Sequence, residues 1–558
     1  MPSHDPRRRL ILQLFSGGLL GAAGFGTAGV EDEPDPRADA RFEHGVASGD
    51  PLSDRVILWT RVTPQAGWRG SLPVRWTIAE DPELTRQVGT GIVATSPDHD
   101  YTVKVDAAGL RPGRTYFYGF RVGATVSPVG RTRTLPGADA RQVRLAAFCC
   151  SNYPAGFFNV YADAARRDDL DAVLHLGDYI YEYGQGGYGT SRAGELGRFP
   201  LPATELMSLE DYRARYAQYR QDPALQALHA SVPFITIWDD HEFADDTWRD
   251  GAPGHDGSTL PFADRRAAAA RAYFEWLPIR QPDPLEPLRI YRSFDFGRIL
   301  SLHMLDTRVI GRDVQVDSDD YTDLDAYLAA LNDPQRQMLG RDQLAWLDGQ
   351  VAASGARWQV LGQQVLMGRM EHAECVVKGE LSMEELQTLR ELQRAVPERL
   401  TDEQKAALAS RTLPYYDDSW DGYPAERERV FDLMRRRGKN LVVLSGDSHN
   451  AWANELFDAQ GHRVGVEFAA PSVSSPGLEA CYPELKPVDV AAMYRDMIPA
   501  LRYAETSRRG YLVLTATAQD VHADYHFVDG TDHPDFSATL GKRLRVLPGP
   551  QQRRILEA

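Results

Sequence analysis

The 558-residue sequence is defined first by what is missing from it. It has no internal repeat and, beyond a Gly- and Ala-rich stretch near the N-terminus, no low-complexity tract, which excludes solenoid and fibrous architectures. No basic stripe stands out, and the formal net charge is −17, so a general nucleic-acid binder is excluded and no nucleic-acid partner is expected beyond use as a substrate. A small phosphate substrate remains compatible with that charge, because bound cations invert a local field. Cysteine is scarce: Cys149, Cys150, Cys375 and Cys481 are the only four. A bridge between the adjacent first pair is strained, and a Cys375–Cys481 bond has no spacing argument behind it. The one apolar stretch near the N-terminus is too short and too glycine-rich for a membrane span, so no stable span is expected.

A hydrophobic content of 43% and a charged content of 25% are ordinary for a globular chain, and the length predicts more than one domain. Residues 1–30 read as a targeting segment. Arg7-Arg8-Arg9 precede Leu10-Ile11-Leu12 and resemble a twin-arginine export signal, with Pro6 where Ser or Thr is usual. A periplasmic or secreted protein that meets the twin-arginine export machinery is therefore expected. From 42 to 136 the sequence is a series of short strand-like runs split by turns such as Arg111-Pro112-Gly113, which predicts a small all-β, immunoglobulin-like sandwich. From 141 to 535 strands alternate with helical segments, which predicts a layered α/β domain. A charged helical insertion is expected over 382–410. In the tail, 536–558, the spacing of Leu540 and Leu544 predicts a short helix ending near Val546 and packing near the site.

The chemistry is concentrated at the ends of five apolar runs. Val173-Leu174-His175-Leu176 is followed by Gly177-Asp178, with Tyr181 three residues on. A buried strand ending in Gly presents Asp178 at the carboxyl edge of a sheet, where α/β folds bind ligands. The same pattern recurs at Phe148-Cys149-Cys150-Ser151-Asn152, Trp238-Asp239-Asp240-His241-Glu242, Leu305-Asp306-Thr307-Arg308 and Ser445-Gly446-Asp447-Ser448-His449-Asn450. Repeated Asp, Cys, His and Tyr at such edges point to one shared metal centre. His175 lies within its strand and reads as core.

Together these runs look like a modified calcineurin-type metallophosphoesterase set. Cys150 stands where that superfamily has an aspartate, Asp240 where it has an asparagine, and Asp447 where it has the first late histidine. Those departures, with Tyr181, Asp421-Gly422-Tyr423-Pro424 and Ser472-Val473-Ser474-Ser475-Pro476-Gly477, resemble the PhoD-like alkaline phosphatase family over nearly the whole chain. The resemblance implies an α/β metallophosphoesterase sandwich behind the β domain, with Fe(3+) held by Cys150, Asp178, Tyr181 and His449. Asp178 would be shared with Ca(2+), joined by Asp240 and Asp447. A thiolate and a phenolate suit a ferric ion, and an all-oxygen neighbour suits calcium.

The activity implied is hydrolysis of small phosphate esters, monoesters and diesters, by in-line attack of a metal-bound hydroxide. His241 would protonate the leaving oxygen or stabilise the transition state, and Arg308, after a strand end, would contact the phosphate in a bidentate pair or form a structural salt bridge. Two other readings compete. One is a phospholipase D-like lipid phosphodiesterase, with an acyl chain against exposed aromatics at 181–188. The other is a non-catalytic, metal-stabilised surface binding protein.

Overall fold

The computed structural model describes residues 40–558 apart from 318, 319, 322 and 415; the expected targeting segment, 1–30, lies outside the described residues. Two large sheets form the main layers. The first has ten strands, with Gln142–Phe148, Ala172–His175 and Phe234–Thr236 parallel and adjacent at its centre. The second has seven, and at its centre Leu300–Met304, Trp358–Gly362 and Asn440–Ser445 run parallel. Five of these six strands are buried along their whole length, as continuous apolar runs in parallel sheets must be. One core, including Leu145, Ala147, Leu174, Leu302, Val442 and Val466, fills the space between the sheets. Polar ties cross it: Trp358 Nε1 donates to the carbonyl of Thr517, and the Tyr525 hydroxyl donates to that of Trp452.

The N-terminal strands do form a sandwich, but one of its sheets is not its own. Gly130–Arg133, Thr115–Val122, Leu72–Ala79 and Gln87–Thr95 make a small sheet facing Val46–Gly49, Arg55–Arg61 and Thr102–Ala108. The latter three continue the ten-stranded sheet beyond Phe234–Thr236, with Gly49 paired to Phe234. Val46–Gly49 is buried at every position, so it needs cover on both faces, and a Cβ at Gly49 would sit 2.6 Å from the Phe234 carbonyl oxygen.

Two local expectations change. The insertion expected as one helical stretch over 382–410 is two exposed helices, Met383–Ala395 and Asp402–Leu408, each opened by a capping box. The tail is no helix. Ala538–Val546 is a strand paired with Val521–Val528, and Ile555–Glu557 adds the sheet's last strand. Leu544 and Val546 are buried while Arg543 and Arg545 between them pair with Asp524 and Asp520, an alternation of period two that overrides the four-residue leucine spacing. This edge lies three strands from Gln142–Phe148, so the tail does not pack near the site as expected.

Candidate metal centre

Three adjacent strands of the first sheet and two of the second release their carboxyl ends into one place. Cys150 follows Gln142–Phe148, Asp178 follows Ala172–His175, and Asp240 follows Phe234–Thr236. Across the core, Arg308 follows Leu300–Met304, and Asp447 and His449 follow Asn440–Ser445. The turns there are forced. Cys150, Asp178, Asp447 and His449 all have left-handed backbones, with φ of 59°, 53°, 59° and 61°. Non-glycine residues adopt that region only where their surroundings over-determine it, as functional sites do.

Several contacts hold these turns. The Glu242 carboxylate accepts from the backbone N–H of Asp178 at 3.1 Å, Tyr179 at 2.6 Å and Asp239 at 2.7 Å, tying two strand ends together. Cys150 N–H donates to the Gly177 carbonyl at 3.2 Å, and the Ser475 hydroxyl donates to the Cys150 carbonyl at 3.2 Å. Gly177, at φ 111°, is required by contact: a Cβ would lie 2.3 Å from that of Asp239.

The donor atoms overlap in a chain of clusters. One ligand atom each from Cys150, Asp178 and His449 lie within 4.8 Å of one another, as do those of Asp178, Asp240 and His241, and those of Asp239, Asp240 and Asp447. The Tyr181 hydroxyl donates to Asp178 Oδ2 at 3.0 Å and lies 3.2 Å from His449 Nε2. Structure thus brings the sequence-expected metal residues together, with Asp178 and Asp240 each shared between clusters. The donor set fits cations. Asp178 Oδ1 and Asp239 Oδ2 are buried without a hydrogen-bond partner, a costly state that a bound ion relieves. His449 Nδ1 sits 2.8 Å from the Pro476 carbonyl, which can only accept; the ring proton is therefore on Nδ1, and Nε2 keeps its lone pair for the centre.

Burial sets the local acidities. It pushes the thiol of Cys150, the carboxyl of Asp178 and the phenol of Tyr181 well above their ordinary values, and lowers His449 to about 3. Burial also raises Asp447 to about 6. At Asp240 burial acts in the same direction but is outweighed by Arg308 and His241, which hold the carboxyl below its usual range. Anionic thiolate, carboxylate and phenolate therefore require positive charge at this spot.

His241 stands beside the clusters. Its Nδ1 is 2.8 Å from Glu182 Oε2, and its ring centre is 4.3 Å from that of Tyr181. Burial lowers its basicity, but Asp240, Glu182 and Asp178 outweigh that and raise it. Sequence reasoning missed Glu182, although it directly follows the Tyr181 ligand position. It also missed Tyr416, whose hydroxyl donates to Asp447 Oδ2 at 2.9 Å from a loop distant in sequence.

Of the two parts the sequence leaves open to Arg308, the structure gives it the salt bridge and not the phosphate contact. Its side chain is fully buried among acids: Nε meets Asp239, Nη1 reaches Asp418 at 2.6 Å, and Nη2 reaches Asp447 at 3.0 Å and lies 3.7 Å from Asp240. All three nitrogens are spent on carboxylates, which leaves no face for a substrate phosphate. It acts as a resident counter-charge and a clamp on Asp447. Of the aromatic run at 181–188, Tyr181 is 1% exposed and Tyr183 half-buried, so only Tyr188 opens to solvent as an acyl-binding surface needs. All four cysteines are free thiols, so Cys375 and Cys481 are not bridged.

A two-layered α/β fold with donors gathered at its strand ends defines a hydrolase of the metallophosphoesterase type, and sequence comparison gives the family. Residues 145–525 match the PhoD-like phosphatase model, and 28–136 match the model of the N-terminal domain of those phosphatases. The chain belongs to the PhoD-like phosphatase family and is a phosphoester hydrolase. It is 35% identical to alkaline phosphatase D of Bacillus subtilis (strain 168) over 508 residues, covering 88% of this chain and 78% of that protein. A solved structure described as the structure of PhoD superposes with a TM-score of 0.76 at 31% identity, covering 95% of this chain and 94% of that one.

Proposed function

We propose that this phosphatase is an exported, metal-dependent enzyme that cleaves both phosphomonoesters and phosphodiesters. The observation that carries the reading is the meeting of Cys150, Asp178 and His449 within 4.8 Å, with the Tyr181 hydroxyl against two of them. Cys150, Asp178, Tyr181 and His449 would hold a ferric ion; Asp178, Asp240 and Asp447 would hold calcium. When bound, such cations acidify water and neutralise the charge that builds on phosphorus. The chain supplies the rest. His241 holds a proton on Nε2 for the leaving oxygen, because Glu182 fixes Nδ1 and aims the ring. Arg308 and Tyr416 hold both oxygens of Asp447. The buried walls formed by Tyr181 and Asp178 exclude bulk water, which strengthens each charge interaction.

Export rests on the arginine cluster ahead of Leu10-Ile11-Leu12, and a periplasmic or secreted location follows from it. Among the described residues no helix is long and apolar enough to cross a membrane. Assay of metal-replete protein on p-nitrophenyl phosphate and its bis ester tests the substrate range. Turnover of both is expected, and cleavage of the monoester alone would remove diesters from the proposal.

A further inference from the structure

The rim of the centre carries an aromatic side chain that the chemistry above leaves without a task. Tyr188 is 39% exposed, yet its hydroxyl lies 3.1 Å from His449 Nδ1 and 3.4 Å from the Pro476 carbonyl. Its ring is 6.0 Å from that of His449 and nearly parallel to it, at 20°. The rings of Tyr183 and Tyr181 lie 6.0 and 6.2 Å away.

The loop that presents Tyr188 is fixed. Gln185 N–H donates to the Ala203 carbonyl at 2.7 Å, and Gly187 N–H to that of Gly184 at 3.1 Å. The Thr190 hydroxyl accepts from Gly186 N–H at 3.1 Å and donates to the Gly187 carbonyl at 2.7 Å. Gly189 has φ 74°, and a Cβ there would fall 2.3 Å from Asn152 Nδ2, so only glycine lets the loop press against the turn after Cys150. An exposed ring on a tied loop is pre-organised for binding, because its rotamer is already chosen.

The ring's position relative to His241 gives it meaning. A leaving oxygen that takes a proton from His241 must lie beside that imidazole, and Tyr183 is 5.3 Å from it, ring to ring. An organic group that leaves that oxygen over the Tyr183 ring would meet Tyr188, whose ring is 6.0 Å from that of Tyr183. The same edge carries Asp245, whose half-exposed carboxylate is 3.9 Å from His241 Nε2 and repels an anionic leaving group.

Resting on the phosphatase reading, we infer that Tyr188 is a specificity-determining residue, a fixed wall that favours esters with an uncharged, planar leaving group. Offset stacking of such a group on a tyrosine is worth a few-fold in binding.

The test compares kcat/KM for phenyl phosphate with that for glycerol phosphate in metal-replete wild type, Tyr188→Ala, Tyr188→Leu and Tyr188→Phe. The ratio cancels any general loss of active protein, and its change from wild type to variant cancels the intrinsic reactivity of the two esters. In Tyr188→Ala and Tyr188→Leu it is expected to fall roughly 3- to 10-fold, while Tyr188→Phe stays within about twofold of wild type. Should the alanine variant not fold, the leucine variant, which keeps the bulk without the ring, gives the same reading. An unmoved ratio in the folded variant overturns the inference. So does a fall in Tyr188→Phe equal to that in Tyr188→Leu, since the hydroxyl on His449 and not the ring would then be responsible. Wild-type protein inert toward both esters overturns the phosphatase reading and this inference with it.

Discussion

At the scale of single residues, the centre works through side chains held by others. Glu182 is buried and divides its carboxylate between His241 Nδ1 and the backbone N–H of Asp245, both at 2.8 Å. Glu182→Gln keeps the shape but loses the charge that fixes the imidazole, so kcat should fall roughly 10- to 100-fold with KM and metal content nearly unchanged. A variant with wild-type kcat would leave Glu182 a packing residue. His175 provides a different residue-level test, away from the chemistry. It is buried, its Nε2 is 2.8 Å from the Tyr161 hydroxyl, and burial lowers its pKa to about 3. A depressed histidine pKa means that the unfolded chain takes up a proton below pH 6.5 that the folded chain refuses, so stability is present above that value and lost as pH falls toward 3. His175→Phe should therefore lose about 2 kcal/mol less than wild type between pH 7 and pH 5, read from unfolding curves at each pH. Parallel curves for the two proteins would contradict the buried neutral state.

At the scale of elements, what was legible in the sequence was local, and what was not depended on partners far along the chain. The five apolar runs ending in Cys150, Asp178, Asp240, Arg308 and Asp447 were readable because a strand buried on both faces needs a continuous apolar sequence and a marked stop. Their convergence was readable because parallel strands put all their carboxyl ends on one edge. The choice between phosphate contact and salt bridge for Arg308 was not legible because no local pattern announces Asp418 as its partner, 110 positions away. Tyr416 was missed for the same reason. The tail was misjudged because its leucines four apart fit a helix, while the neighbour that settles the matter, Val521–Val528, lies outside the window. The strand gives the tail a role in stability and not in the site. Removing residues after Asp535 strips a strand carrying Leu544 and Val546, together with Arg553, which is 4% exposed and bonded to the Asn440 side chain and the Val464 carbonyl. Two buried aliphatic side chains alone are worth about 4 kcal/mol, and the loss bares a sheet edge. The truncated protein should melt about 5 °C or more lower, or aggregate, and its folded fraction should keep the KM of the full chain. An unchanged melting temperature with an altered KM would return the tail to the site.

At the scale of the whole molecule, two sheets from different halves of the chain each bring part of one centre, and neither part is complete. The first sheet carries the thiol, the shared carboxylate and the phenol; the second carries His449 and Asp447. Assembly of the sandwich is therefore assembly of the site, and cations held across the seam as proposed would favour the folded state by mass action. The N-terminal strands, by extending the first sheet past Phe234–Thr236, cover a flank that would otherwise be an open edge. The central claim is that thiolate and phenolate donors meet at one ferric ion beside calcium. It is tested most directly by elemental analysis of the protein purified from its own host, read with its visible absorption spectrum, for wild type, Cys149→Ala and Cys150→Ala. Iron and calcium together, with a charge-transfer band that survives in Cys149→Ala and vanishes in Cys150→Ala, is the predicted result. Colourless, fully active wild-type protein that contains zinc alone would contradict it.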